Sequence, residues 1–363
     1  MTDQPDSETL IAQRAATWRE RHGAGRKPTI NDVAAVSGMS KKTVSRVINA
    51  AASVREETRA RVDLAIGALG FSPDPQARGL AFRHSFLIGL IYDNPNPQYV
   101  VNMQEGLLEG LAGTEFELAV HRCDRSAPDF LSNARRFVER QKLFGVILVP
   151  SVSEDERLVA VLRELGCAFM RVASVSLDER SRMIVSHDRI GGRRAAEYLV
   201  GLGHTRIGHV TGLAGFRSAA ERRAGFEEGL AVAGLSLAPH DVFEGRYTIE
   251  SGVEAGERLF SRVDRPTAVF AANDQMAVGV LHAARRRDVV VPRDLSVIGY
   301  DDLQSAGITW PPLTTIHSPV RETGKLAINK LLASRFGDPS KAPDETEPWL
   351  VVRESAGPPP GGG

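Results

Sequence analysis

Thr29 to Asn49 reads TINDVAAVSGMSKKTVSRVIN, and the spacing of its apolar residues predicts two short helices joined by a tight turn. Ile30, Val33 and Ala34 recur at i, i+3 and i+4, the period of one helical face. Thr29 stands where an N-cap belongs, and Asp32, three residues on, completes a capping-box pattern. Gly38 closes the turn, and Ser40 caps a second helix whose apolar face is Val44, Val47 and Ile48. The other face carries Lys42, Ser45, Arg46 and Asn49 at i, i+3, i+4 and i+7. Polar donors therefore line one side of a helix whose other side is held by its neighbour, an arrangement suited to a DNA groove. A third helix follows, with Val62, Ala65, Ile66 and Leu69 facing inward and Gly70 at its end.

Charge is segregated along the chain. The 363 residues carry 45 basic and 45 acidic side chains, yet from Arg26 to Arg83 the basic residues clearly outnumber the acidic ones, as phosphate binding requires. After Phe71 comes SPDPQARGLA, where Asp74 can cap and Pro75 can open a short helix running to about Ala81. Helices below roughly 12 to 15 residues are marginal in water, so this one is expected to order only against a partner; a plain linker fits the same spacing.

VAAVSGMSKKTVSRVIN, ETRARV and PDPQARGLA together resemble the headpiece and hinge of the LacI/GalR family of bacterial transcriptional repressors, collinearly from Thr29 to Ala81. The resemblance implies that the second helix lies in the major groove, with Lys41 and Lys42 reading bases and Ser45 and Arg46 also touching DNA. It places Asn49 and Thr58 on phosphates, Leu80 as a minor-groove wedge and Ala77 as the small residue packed beside it. Two positions depart from the family pattern. Asp74 replaces the usual hinge Asn, which argues against a phosphate contact there, and Arg55 replaces the usual Ser at the start of the third helix.

From Phe86 onward, FLIGLIY, FELAV, GVILVP, CAFMRV, RIGHV, TAVFAA and LSVIGY alternate with helical patterns, which predicts parallel sheets covered by helices on both faces. A segment of roughly 270 residues exceeds one comfortable core, so two α/β lobes are expected. The expected fold is thus an all-α helix-turn-helix headpiece followed by two Rossmann-like lobes of the periplasmic-binding-protein type, with chain crossings near Ser186, near His317 and just before LVVRES. The expected divisions are a disordered extension over 1–25, a DNA-binding domain over 26–72, a hinge over 73–83, the two-lobed core over 84–356 and a flexible tail over 357–363. SETLIAQRAATWRER, within the extension, has Leu10, Ile11 and Trp18 on a possible helix.

Ligands of open α/β sheets bind beyond the carboxyl ends of strands. That rule selects Asp93 and Asn94, Arg171, Asn273 and Asp274, and Asp301 and Asp302. The family resemblance narrows the effector-binding set to Arg222 in ERRAGF, Asn273 in AANDQMAVG and Asp301 in GYDD, with Tyr247 as a stacking aromatic. Arg171, Asp93 and Tyr99 are further candidates, and Arg171 would favour an anionic sugar. A guanidinium, an amide and a carboxylate around an aromatic face suit a polyhydroxylated ring such as a sugar, and leave a nucleobase or an acidic metabolite open. Arg222 could equally make an ion pair within its lobe.

Other classes find little support. GLGHTR precedes a strand and lacks a third glycine, so a helix C-cap explains it better than a dinucleotide loop. His187 and Asp188 adjoin without a nucleophile. No catalytic residue, cofactor or metal ligand is expected. Cys123 and Cys167 are isolated, and MTDQPDSETL lacks the apolar core of an export signal, so a cytoplasmic protein is expected. The expected function is a dimeric, sequence-specific repressor on a palindromic double-stranded operator, switched by a small sugar-like effector and not associated with membranes. The alternative is a solute-binding receptor, which the core alone would suggest.

Overall fold

The protein is described by a computed structural model covering residues 7–23, 25–48, 54–72, 85–336 and 346–361. The chain divides into two units, one ending at Ser85 and the other beginning at Phe86.

In the first unit, α1 (Ser7–His22), α2 (Ile30–Ser37), α3 (Lys41–Ile48) and α4 (Glu56–Leu69) share one small core. The two helices of the turn form where the apolar period places them. The Thr29 amide donates to Asp32 Oδ2 at 2.8 Å, Gly38 adopts the left-handed conformation at φ 69°, and the Thr43 amide donates to Ser40 Oγ at 3.1 Å. Val33, Val44 and Val62 are completely buried together, which fixes the angle between the helices by packing.

The disorder expected over residues 1–25 does not hold for Ser7–His22. This stretch is a helix whose Ile11 and Ala15 enter the same core at 2% exposure each. Trp18 Nε1 donates to Asp32 Oδ1 at 2.8 Å, and the Arg14 and Arg19 guanidiniums reach the carbonyls of Val36 and Ala68 near the carboxyl ends of α2 and α4. Cations at such helix ends complement the helix dipole and satisfy carbonyls that the helices leave open. Two apolar side chains four residues apart, two end-capping guanidiniums and the Trp18 donor make the helix cohere with its neighbours, where its weak amphipathic pattern alone suggests otherwise.

The second unit holds two sheets. The first has strand order β2-β1-β3-β4-β5, built from β1 (Leu87–Tyr92), β2 (Glu117–Arg122), β3 (Gly145–Leu148), β4 (Ala168–Ala173) and β5 (Met183–Val185), all parallel. The second has order β11-β10-β9-β8-β6-β7, from β6 (Ile207–Val210), β7 (Val242–Phe243), β8 (Ala268–Ala271), β9 (Ser296–Asp301), β10 (Thr314–His317) and β11 (Trp349–Val351). Here only the β10–β11 pair is antiparallel. Central strands such as β3 and β8 are buried along their whole length, as expected of sheets covered on both faces.

The covering helices are α5 (Pro97–Leu111), α6 (Phe130–Gln141), α7 (Glu156–Glu164), α8 (Asp188–Gly201), α9 (Arg217–Val232), α10 (Ile249–Phe260), α11 (Asp274–Arg286) and α12 (Val320–Phe336). The chain leaves the first sheet after β5 and enters the second lobe through Ser186 and α8. It returns after β10, where α12 packs on α5, and crosses again before β11. The tail expected to be flexible from 357 is anchored at its first residue. The Gly357 amide donates to Ser296 Oγ at 2.9 Å, and its carbonyl accepts from Ser296 Oγ at 2.9 Å. No helix among the described residues is long and apolar enough to cross a membrane.

Candidate functional site

Helices α8 and α9 bring the first polar groups of the core site together. Both lack a side chain where they cross: a Cβ on Gly192 would collide with the Arg222 carbonyl, and one on Gly225 with the Arg189 carbonyl. The resulting close approach sets Arg222, on α9, over Asp188, the first residue of α8. Arg222 Nε donates to Asp188 Oδ1 at 2.7 Å and its Nη1 to the Ala272 carbonyl at 2.5 Å, with Asp301 Oδ1 at 3.5 Å. The guanidinium lies 3.6 Å from the centre of the Tyr300 ring. Asp188 Oδ2 accepts in turn from Ser174 Oγ at 2.8 Å and Ser186 Oγ at 2.5 Å. Burial opposes the Arg222 charge, and the two carboxylates more than restore it.

Asp301 ends β9 with a left-handed φ of 108°. Its Oδ2 accepts from Asn96 Nδ2 of the first lobe at 3.2 Å. Burial pushes its carboxyl up to about 6, against the pull of Arg222. Asn273 caps α11, accepting from the Met276 amide at 2.9 Å and donating to the Tyr247 carbonyl at 3.2 Å. That second bond holds Tyr247 at φ 61°, with Phe216 edge-on to its ring at 6.0 Å.

A small cavity lies between the strand ends of the two lobes. Its aromatic wall is Tyr99, Phe216 and Tyr247; its polar groups include Asn94, Asn96, Asp188, Ser218 and Arg222; and Ser318 and Thr323 approach from the second crossing. Of the expected effector residues, Arg222, Tyr247 and Tyr99 line this space. Asp301 is bonded to two of its lining groups, and Asn273 supports Tyr247 from behind.

Two candidates fall elsewhere. Arg171 is fully buried within the first lobe, donating from Nε to the Ser153 carbonyl at 2.7 Å and from Nη2 to Glu156 Oε1 at 2.7 Å, with Asp178 at 3.6 Å. It takes no part in the cavity, and the anionic preference expected from it loses its basis. Asp93 faces a separate open depression beside Cys123 and Asp129, where Ser151 Oγ donates to it at 2.8 Å and Arg125 lies 3.7 Å away. Sequence reasoning missed Asn96, and it set Asp188 aside as the neighbour of His187 at a chain crossing. Both lie in the segments that follow strand ends, Asn96 after β1 and Asp188 after β5, so the same rule, read a few residues further, could have selected them.

In the first unit, Lys41, Lys42 and Arg46 are exposed on α3 while Val44 and Val47 are buried beneath them. Ser45 and Thr58 are half-buried. Asn49, Ala77 and Leu80 lie outside the described residues.

A helix-turn-helix unit joined to a two-lobed core with a cavity lined by aromatic and polar side chains defines a ligand-responsive DNA-binding class. Residues 29–74 match the family described as bacterial regulatory proteins, lacI family, and residues 196–356 match a periplasmic binding protein-like domain. The chain is 33% identical over 332 residues to the HTH-type transcriptional repressor PurR of Mannheimia succiniciproducens, spanning 90% of this chain and 98% of that one. It is 34% identical over 334 residues to the ribose operon repressor of Escherichia coli K12, spanning 90% and 99%. Among solved structures, a lac repressor dimer bound to operator and an anti-inducer aligns with TM-score 0.74 at 27% identity, covering 92% of this chain and all of that one. A complex of the transcriptional regulator CelR with cellobiose aligns with TM-score 0.67 at 28% identity, covering 91% and 100%. The chain belongs to the LacI family of bacterial regulatory proteins and is a DNA-binding transcriptional regulator. Relatives with the same headpiece and core favour this reading over the solute-binding receptor.

Proposed function

We propose that this regulator represses transcription as a homodimer in the cytoplasm, placing one headpiece on each half of a palindromic double-stranded operator, and that a sugar or sugar derivative bound between its lobes switches it. The observation that carries the reading is the cavity at the strand ends, in a chain that also presents the exposed Lys41, Lys42 and Arg46 on a helix fixed by buried valines. Lys41 and Lys42 read bases, Ser45 and Arg46 add base or phosphate contacts, and Thr58 holds a phosphate. Arg222, Asp301 and Tyr247 contact the effector, Tyr99 extends the aromatic wall, and Asn273 holds Tyr247 in place. Roles for Asn49, Ala77 and Leu80 rest on the family resemblance alone.

Exposed apolar side chains supply surfaces for a second copy: Val101 and Leu108 on α5, one face of that helix, and Ile308 and Trp310 in the loop before β10. A related repressor has been captured as a dimer on its operator, which supports the same assembly here. The relatives are repressors rather than enzymes, which supports a regulator without catalytic turnover. Effector binding would change the angle between lobes and so bias the segment over 73–83, which lies outside the described residues.

The test is a gel shift on DNA upstream of the chain's own gene, with and without a panel of sugars. Lys42→Ala should abolish specific binding, and Asp301→Ala should keep DNA affinity while losing the sugar response. A sugar response that survives Asp301→Ala would remove the cavity from the mechanism.

A further inference from the structure

Helix α1 brings a cation to the turn of the helix-turn-helix. Arg14 on α1 and Arg61 on α4 converge beside Gly38: Arg14 Nη1 and Arg61 Nη2 lie 3.2 and 3.3 Å from the point that a Cβ on that glycine would occupy. The two guanidiniums thus border one small volume next to an exposed residue held at φ 69°. Neither forms an ion pair with a carboxylate among the described residues. Asp32 and Glu56, the paired acids of the headpiece, are engaged by Arg26 and Arg59.

Other partners do not satisfy the pair. Arg14 reaches the Val36 carbonyl at 3.5 Å, the outer limit of a hydrogen bond, and Arg61 Nε is shielded from solvent with no partner among the described residues. Two like charges side by side repel, and a shielded donor without an acceptor costs free energy of its own. One oxyanion between the two planar forks would relieve both, because a guanidinium presents several donors that match the spacing of phosphate oxygens.

The place of the pair selects the anion. Met39 and Ser40 separate Gly38 from Lys41, where α3 begins, and the exposed Lys41, Lys42 and Arg46 continue the positive surface. A helix in a major groove has a phosphate strand along each rim, so cations at the turn that leads into it meet backbone and not base edges. Arg14 itself lies ahead of the segment that matches the family.

We propose that Arg14 and Arg61 together clamp one backbone phosphate of the operator, which makes α1 part of the DNA interface and widens that interface beyond the helix-turn-helix. The inference rests on the placement of α3 in the major groove. The clamp exists only while Ile11 and Ala15 hold α1 in the headpiece core, so the order of residues 7–22 is tied to DNA affinity.

Fluorescence anisotropy of the full chain on two labelled duplexes, one from upstream of its own gene and one of random sequence, over a series of KCl concentrations tests this. The double variant Arg14→Gln/Arg61→Gln should weaken both duplexes by the same factor. It should also reduce the slope of log K against log salt by about 0.9 per headpiece, the share of one phosphate. Each single variant should lose no more than that, since the phosphate is shared. Glutamine keeps a donor for the Val36 carbonyl, and melting curves check the fold; if the double variant does not fold, the exposed Arg14→Gln carries the test alone. Arg21→Gln, two turns further along α1, should leave the slope unchanged. A lowered melting temperature with an unchanged slope makes Arg14 only a cap on α2 and overturns the proposal. An equal fall in slope with Arg21→Gln would mean diffuse charge, and single losses that add in the double variant would mean two phosphates; either result removes the shared clamp. Lys42→Ala checks α3 separately: equal losses on the two duplexes would overturn its reading role, and with it the ground for the clamp.

Discussion

Asn96 Nδ2 donates to Asp301 Oδ2 at 3.2 Å, joining side chains 205 positions apart and belonging to different lobes. The same Asn96 caps α5, accepting from the Gln98 amide at 3.1 Å and the Tyr99 amide at 3.4 Å. One residue thus ends a helix, lines the cavity and spans the cleft, which separates two effects that mutation can tell apart.

Asn96→Ser retains a capping oxygen but is too short to reach Asp301. Its melting temperature should stay close to that of the native chain, since Ser and Asn cap about equally well. Small-angle scattering should show a larger radius of gyration as the cleft loosens. Asn96→Ala should in addition lose about 1 kcal/mol from the cap. An unchanged radius in the serine variant would mean that the bridge does not hold the lobes.

Asp301 links stability to pH. Its folded pKa of about 6 lies above the ordinary aspartate value of 3.8, so the folded state binds the proton more readily than the unfolded chain. Ionisation therefore costs stability above about pH 6, and stability is regained as pH falls through 6 towards 4. Between pH 7 and pH 5 this one group should return about 1 kcal/mol. Asp301→Asn should remove that increment, so urea midpoints at the two pH values should differ less in the variant. Equal differences in both proteins would assign the titration elsewhere.

The extra helix α1 should be energetically part of the headpiece. Ile11→Ala, at a side chain 2% exposed, should cost about 2–4 kcal/mol of headpiece stability. Trp18→Phe, which removes the donor to Asp32, should cost about 1 kcal/mol. Calorimetry should show the headpiece transition moving down while the core transition stays in place. If the headpiece melts as before, the burial of Ile11 has no energetic consequence.

Gly192→Ala should be far worse than an ordinary helical substitution. Its Cβ meets the Arg222 backbone, whereas Gly201, at the end of the same helix, has no atom within 4 Å of an added Cβ. Separating α8 from α9 should cost about 1–3 kcal/mol and pull Asp188 from Arg222, so ligand response should weaken with it. Gly201→Ala should be neutral or slightly stabilising in the same melting assay. Equal tolerance at both positions would contradict the close crossing.

Much of this molecule is legible in its residues taken in order. The helices of the turn announce themselves through Thr29, Asp32, Gly38 and Ser40, because caps and apolar period are local properties that neighbours a few positions away decide. The two-lobed core follows from the alternation of strand-like and helical runs, and the strand-end rule points to Asp301 and Asn273, while Tyr247 comes from the family resemblance alone. Shorter strands such as Val242–Phe243 carry too few residues to show a period.

Tertiary structure decided which charges meet. Arg171 lies inside β4, not beyond its end, and Glu156 and Asp178 capture it, whereas Asp188 holds Arg222 at the cavity wall. It likewise turned residues 7–22 from a weakly patterned extension into a packed helix, because the gap that Ile11 and Ala15 fill exists only once α2 and α4 are assembled. Sequence periodicity specifies which face of an element is apolar. Which distant donor or cavity that face finds depends on contacts between segments far apart in the chain, and those exist only in the folded state.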